Sequence, residues 1–185
     1  MISSSNSRAH RDAYGSQINR DHLPILVYGI PWLTIILASL VPMVPFIALA
    51  PILPPLGYLF LLTWRLVRPG LLPLWAGLPL GAFDDLFSGQ PFGSGIFLFS
   101  VTLLSIEAIE IRFPWRNFLL DWFTASLALS VYLYACFLFS GAQLTSIQLR
   151  LILPQLLLSI VLFPIIARIV ALLDRFRLMR IRKVR

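Results

Sequence analysis

Cysteine occurs once in the 185 residues, at Cys136, and histidine only twice, at His10 and His22. One thiol can form neither an internal disulfide nor a paired-cysteine metal site. Two histidines near the start, with no cysteine beside them, do not make a zinc site, so no metal or other cofactor is expected. They also leave no Ser, His and Asp set within the apolar body of the chain, and no GxxxxGK(S/T) phosphate loop occurs. The sequence therefore predicts a protein that is not an enzyme. Charge is scarce too: only 12% of residues are charged, with 8 Asp+Glu against 15 Lys+Arg.

What is abundant is apolar surface. Hydrophobic residues make up 58% of the chain, and the mean hydropathy is +0.85. Average soluble domains carry about 25% charged and about 45–50% apolar residues. A water-soluble domain of this size cannot hide so much apolar area, so the solvent must be lipid. The expected fold class is an all-α integral membrane protein, with its helices in one bundle. The net charge of +7 does not point to nucleic acid in so apolar a chain. Basic residues of membrane proteins sort to cytoplasmic loops.

Six apolar stretches approach the roughly 20 residues that a membrane span needs. They lie near residues 24–41, 52–67, 71–87, 92–111, 118–139 and 149–173. Arginines sort with them. Arg8, Arg11 and Arg20 precede the first stretch, Arg65 and Arg68 end the second, and Arg112 and Arg116 follow the fourth. Arg175, Arg177, Arg180, Arg182, Lys183 and Arg185 follow the sixth, while the odd connections carry none apart from Arg150. This alternation predicts six transmembrane helices with both termini cytoplasmic. The expected division is a polar cytoplasmic tail over 1–23, a six-helix domain over 24–173 and a basic cytoplasmic tail over 174–185. The first helix is expected to be retained and not cleaved as a signal peptide. Pro42, Pro45, Pro51, Pro54 and Pro55 predict an irregular outer connection, because proline removes a backbone donor. At membrane depth such backbone is tolerated only when buried in protein or lining a wet cavity.

Within this acid-poor chain, residues 81–93 read GAFDDLFSGQPFG. If the third helix starts near Leu71, Phe83 lies roughly 20 Å along it at 1.5 Å per residue. That falls short of a hydrocarbon core about 30 Å thick. Asp84 and Asp85 then sit at membrane depth, where a carboxylate needs a partner or water. They also lie near a helix C-terminus, where the macrodipole disfavours negative charge. Adjacent residues point about 100° apart, so the two acids have different surroundings. Three readings stay open. The helix ends early and both acids meet outer water; one acid turns inward to hydrogen-bond loop amides; or the pair serves proton relay or substrate binding. Ser88 to Gly95 is rich in small, turn-forming residues. Gly77 with Gly81, and Gly89 with Gly93, have the four-residue spacing that lets transmembrane helices approach closely. A carboxylate that accepts the loop's amides pins the corner between the third and fourth helices.

These residues resemble the signature of the MreD family of bacterial rod-shape-determining membrane proteins. The matching pattern is Gly81, Asp85, Leu86, Phe87, Ser88, Gly89 and Gly93; Asp84 and the long polar N-terminal tail are additions to it. The resemblance implies a non-enzymatic scaffold of the cell-elongation (rod) complex in the bacterial inner membrane. It implies as partners an MreC-like single-span protein, the MreB-like cytoskeleton, and the RodA-type and penicillin-binding synthases of lateral peptidoglycan. The site expected from residues and resemblance together is Gly81, Asp84, Asp85, Gly89 and Gly93.

Three further features carry expectations. Glu107 can pair with Arg112 or Arg116 across a turn, and Asp121, near a helix start, can cap it or pair with Arg116. The tail from Arg175 to Arg185 mixes Arg with Phe176 and Met179; it is either a topology signal or a handle on anionic membrane lipid. A different function class also fits the hydropathy: a small-molecule-binding subunit, similar to the substrate-capture component of energy-coupling-factor transporters. No cluster of polar residues on several outer loops supports a ligand pocket.

Overall fold

The computed structural model describes residues 24–43, 53–112, 117–141 and 146–177. Among the described residues there are six α-helices and no strand: α1 (Pro24–Ser39), α2 (Leu56–Val67), α3 (Gly77–Phe87), α4 (Ser94–Arg112), α5 (Phe118–Phe139) and α6 (Ser146–Arg177). Ser94–Arg112, Phe118–Phe139 and the Ile152–Arg177 portion of α6 are long and apolar enough to cross a membrane, whereas α1 to α3 are shorter.

The stretch at 71–87 differs from its expectation as a single helix. Gly70 takes a left-handed φ of +78°, and Pro73 is extended at φ −66°, ψ 152°. A 3-10 turn over Leu74–Ala76 follows, and α3 has only 11 residues, about 17 Å of rise. Pro79 falls within its first turn, where a missing backbone donor breaks no helical bond.

Apolar side chains face outward as well as into the core. On α5, Leu119, Phe123, Leu127 and Val131 form an exposed stripe, and Leu157, Val161 and Ile165 do the same on α6. Arg65, Asp84, Asp85, Ser159, Asp174 and Arg177 are buried. Apolar stripes of this extent mark a surface that faces lipid. Together with the three membrane-capable helices, they make this a multi-pass membrane protein.

The short helix α2 is the centre, packed against α1, α4, α5 and α6. It is apolar nearly all round, as a buried helix must be, and Tyr58, Leu59, Leu61, Leu62 and Trp64 are all fully covered. The Tyr58 ring stacks on Tyr132 of α5 at 3.9 Å between centroids. Its hydroxyl lies 2.9 Å from Thr102 Oγ1 of α4 and donates at 3.3 Å to the Ala128 carbonyl of α5. One side chain thus ties three helices and satisfies its own polar atom, as burial in an apolar core requires.

Helix α6 runs for 32 residues through Pro154 and Pro164. Pro164 has no N–H, so the Ile160 carbonyl loses its i+4 donor. Trp122 Nε1 of α5 donates to that carbonyl at 3.1 Å. The break in one helix becomes a cross-link to its neighbour.

Candidate functional site

The corner between α3 and α4 begins with glycine. A Cβ at Gly81 would stand 2.5 Å from the Gly95 carbonyl oxygen, and one at Gly77 would stand 2.8 Å from the Ser100 backbone. Both positions must lack a side chain for the two backbones to meet. Gly89 and Gly93 have a different role from helix packing. They lie in the connecting turn with φ of +69° and +103°, and open space surrounds both. Their backbone, not their small size, requires glycine there.

Asp85 faces this contact and is 5% exposed. The backbone N–H of Gly93 donates to its Oδ2 at 2.8 Å, that of Gly95 to its Oδ1 at 2.6 Å, and that of Ile96 to its Oδ2 at 3.3 Å. The Ser94 hydroxyl donates to the Pro91 carbonyl at 2.7 Å. The first amides of a helix lack partners inside it, and here a side chain from the preceding helix supplies the acceptor. The positive end of the α4 macrodipole also offsets the unfavourable C-terminal end of α3. The site is therefore a helix cap supplied in trans by α3.

Asp84, one residue away, turns toward α1 and α2 and is 7% exposed. Beside it, a Cβ at Gly57 of α2 would stand 2.6 Å from Asp84 Oδ1 and would collide with Ser39 Oγ of α1. Ser39 Oγ and Asp84 Oδ1 thus face the same point on α2, and Ser39 Oγ is buried with no partner at hydrogen-bond geometry. Asp84, Ser39 and Gly57 form part of the wall of a cavity of about 390 Å³. Tyr132 and Cys136 of α5, Gln155 of α6, and Pro54 and Pro55 before α2 also line it. Gln155 Nε2 donates to the Leu53 carbonyl at 2.7 Å, which holds residues 53–55 ahead of α2 against α6. The sequence showed no ligand pocket because its polar residues come singly from separate elements.

A second polar cluster occupies the other end of α4. Arg65 of α2 is 1% exposed and binds both Glu107 and Glu110 of α4, the latter at 2.8 Å. Arg68 reaches Asp174 of α6 at 2.7 Å, and Arg177 meets the same carboxylate at 2.7 Å. The Arg177 guanidinium lies 5.7 Å from the Trp64 ring centroid, within cation–π range. Sequence reasoning missed this cluster. It read Arg65 and Arg68 as topology signals and placed Glu107 near Arg112 or Arg116. The available signal was the i,i+3 spacing of Glu107 and Glu110, which puts two acids on one helix face. Arg116 lies outside the described residues, and Asp121 sits in the first turn of α5.

Of the basic tail, Arg175 is exposed near the end of α6 and Arg177 is buried in the cluster. Arg180, Arg182, Lys183 and Arg185 lie outside the described residues, as does the tail over 1–23.

A family model described as "rod shape-determining protein MreD" matches residues 20–177, most of the chain. No curated protein and no solved structure matches.

Proposed function

The chain belongs to the MreD family, which gives it a role in rod shape determination, and from that premise we propose that it is a non-enzymatic scaffold of the cell-elongation complex. In this reading six helices sit in the bacterial inner membrane with both termini in the cytoplasm. The alternation of arginine-bearing connections supports that orientation. It places the Arg65–Glu107–Glu110 and Arg68–Asp174–Arg177 cluster at the cytoplasmic end and the Asp85 corner at the outer end.

The single observation that carries the reading is the family match over residues 20–177. The geometry supports it by showing a bundle clamped at both ends of α4, one clamp anionic onto amides and the other an ion cluster. A frame held this way can keep a fixed relation between a cytoskeletal partner inside and a single-span MreC-like partner outside. RodA-type and penicillin-binding synthases complete the proposed assembly. Gly81, Asp85, Gly89 and Gly93 maintain the outer corner, while Asp84 faces the cavity beside α1 and α2. Arg175, Arg180, Arg182, Lys183 and Arg185 present positive charge to anionic lipid or to the cytoskeletal partner.

Depletion in the native host tests the role. Cells are expected to lose rod shape and round up, and affinity capture of the protein is expected to recover a single-span partner. Rods of unchanged aspect ratio after depletion contradict the proposal.

A further inference from the structure

The cavity beside Asp84 has polar capacity that the fold does not use. Ser39 Oγ, Ser88 Oγ and Gln90 Oε1 are buried without a hydrogen-bond partner, and all three residues line this one space with Asp84. Ser39 is 1% exposed, so no bulk solvent satisfies it. Buried polar atoms are otherwise almost always partnered, and three orphans around one carboxylate mark a place where a partner from outside the chain belongs.

The chemistry of that partner follows from the lining. Among the described residues that line it, Asp84 is the only charged one, and no described Lys, Arg or His contributes. An anion is repelled. A carboxylate flanked by a carbonyl oxygen and two hydroxyls is an acceptor set, and an alkylammonium group offers three donors and one positive charge to it. Much of the remaining wall, including Pro54, Leu133, Phe137 and Ile152, is apolar and suits a hydrocarbon body. The volume of about 390 Å³ falls in the range of about 300–1,000 Å³ typical of small-molecule sites. We infer that this cavity binds a ligand with a primary ammonium group on an apolar body, the ammonium against Asp84 and Ser39. Two sources share that chemistry: the headgroup of an aminophospholipid and a free amphiphilic amine. The inference concerns binding alone and stands whether or not the protein acts as a scaffold.

Native mass spectrometry of the purified full-length protein tests it, with phosphatidylethanolamine, phosphatidylglycerol or dodecylamine added. The wild type is expected to retain the ethanolamine lipid or dodecylamine at about tenfold the level of the glycerol lipid, a preference lost in Asp84→Asn and weakened in Ser39→Ala. Retention of the ethanolamine lipid assigns a lipid headgroup; retention of dodecylamine alone assigns a free amine. Equal retention of all three, retention of none, or an Asp84→Asn variant that keeps the preference overturns the inference.

A second readout needs no variant. Cys136, the chain's only cysteine, lines the same cavity. An aminoethyl methanethiosulfonate reagent is expected to modify it about tenfold faster than the sulfonatoethyl reagent, because a buried carboxylate focuses cations. Dodecylamine is expected to slow that reaction. Equal rates, or modification by neither reagent, count against the inference.

Discussion

The Asp85 carboxylate, on the last turn of α3, accepts the backbone N–H of Gly95 at 2.6 Å on the first turn of α4. With Gly93 on its other oxygen at 2.8 Å, it closes the corner between two helices that approach at Gly81. Removing the carboxylate leaves the buried Gly95 amide and its neighbours without their acceptor. Asp85→Ala is therefore expected to lose about 1.5–3 kcal/mol, the range for hydrogen bonds to a charged group. Asp85→Asn keeps one acceptor oxygen and is expected to fall between the variant and the wild type. Thermal melts of the detergent-solubilised protein check the order; equal melting points for all three refute the clamp.

The two kinds of glycine at this corner separate by substitution. Gly81→Ala drives a methyl to within 2.5 Å of the Gly95 carbonyl oxygen, and overpacking of that kind costs about 1–3 kcal/mol. Gly89→Ala meets open space and suffers only from its φ of +69°, a cost of about 1 kcal/mol. Gly81→Ala is thus expected to melt lower. The opposite order contradicts the assignment of Gly81 to helix contact and Gly89 to the turn.

Arg65 is fully buried and binds two acids, so its loss removes a buried cation from both Glu107 and Glu110. Arg65→Met is expected to destabilise by about 3–5 kcal/mol, as broken buried ion pairs do. The triple variant Arg65→Met, Glu107→Gln, Glu110→Gln is expected to recover much of that loss. Glu110→Gln alone is expected to cost more than Glu107→Gln, because the Glu110 side chain is 15% exposed and that of Glu107 41%. Chemical or thermal denaturation of the four variants reads all of these differences.

Trp122 and Pro164 are expected to be coupled. Trp122→Phe removes the donor to the Ile160 carbonyl, a loss of about 1 kcal/mol. In a Pro164→Ala background the restored N–H can serve that carbonyl, so Trp122→Phe is expected to cost less there. A double-mutant cycle reads the coupling directly; additive effects indicate that Trp122 does not compensate for the proline.

The sequence carries local information about this fold and little of its cross-chain pairing. α5 follows its apolar run residue for residue, and α4 and α6 lie within a few residues of theirs, because length and hydropathy decide a helix in lipid. The corner was legible because its parts are contiguous: Asp85, a small-residue turn and the next helix start lie within about a dozen residues. Two things were not. The break before α3 is local, at Gly70 and Pro73, but the apolar run continues across it and hides it. The partners of Arg65, Arg68 and Asp84 lie on helices whose order around the bundle leaves no local trace, so Arg65 reads as a loop charge although it is in the core.

The most direct test of the account is the aspect ratio of host cells depleted of the native protein and supplied with either the wild type or Asp85→Ala at matched membrane levels. Wild type is expected to restore rods, and Asp85→Ala to leave cells rounded. Full restoration by Asp85→Ala would mean that shape determination does not depend on the α3–α4 clamp.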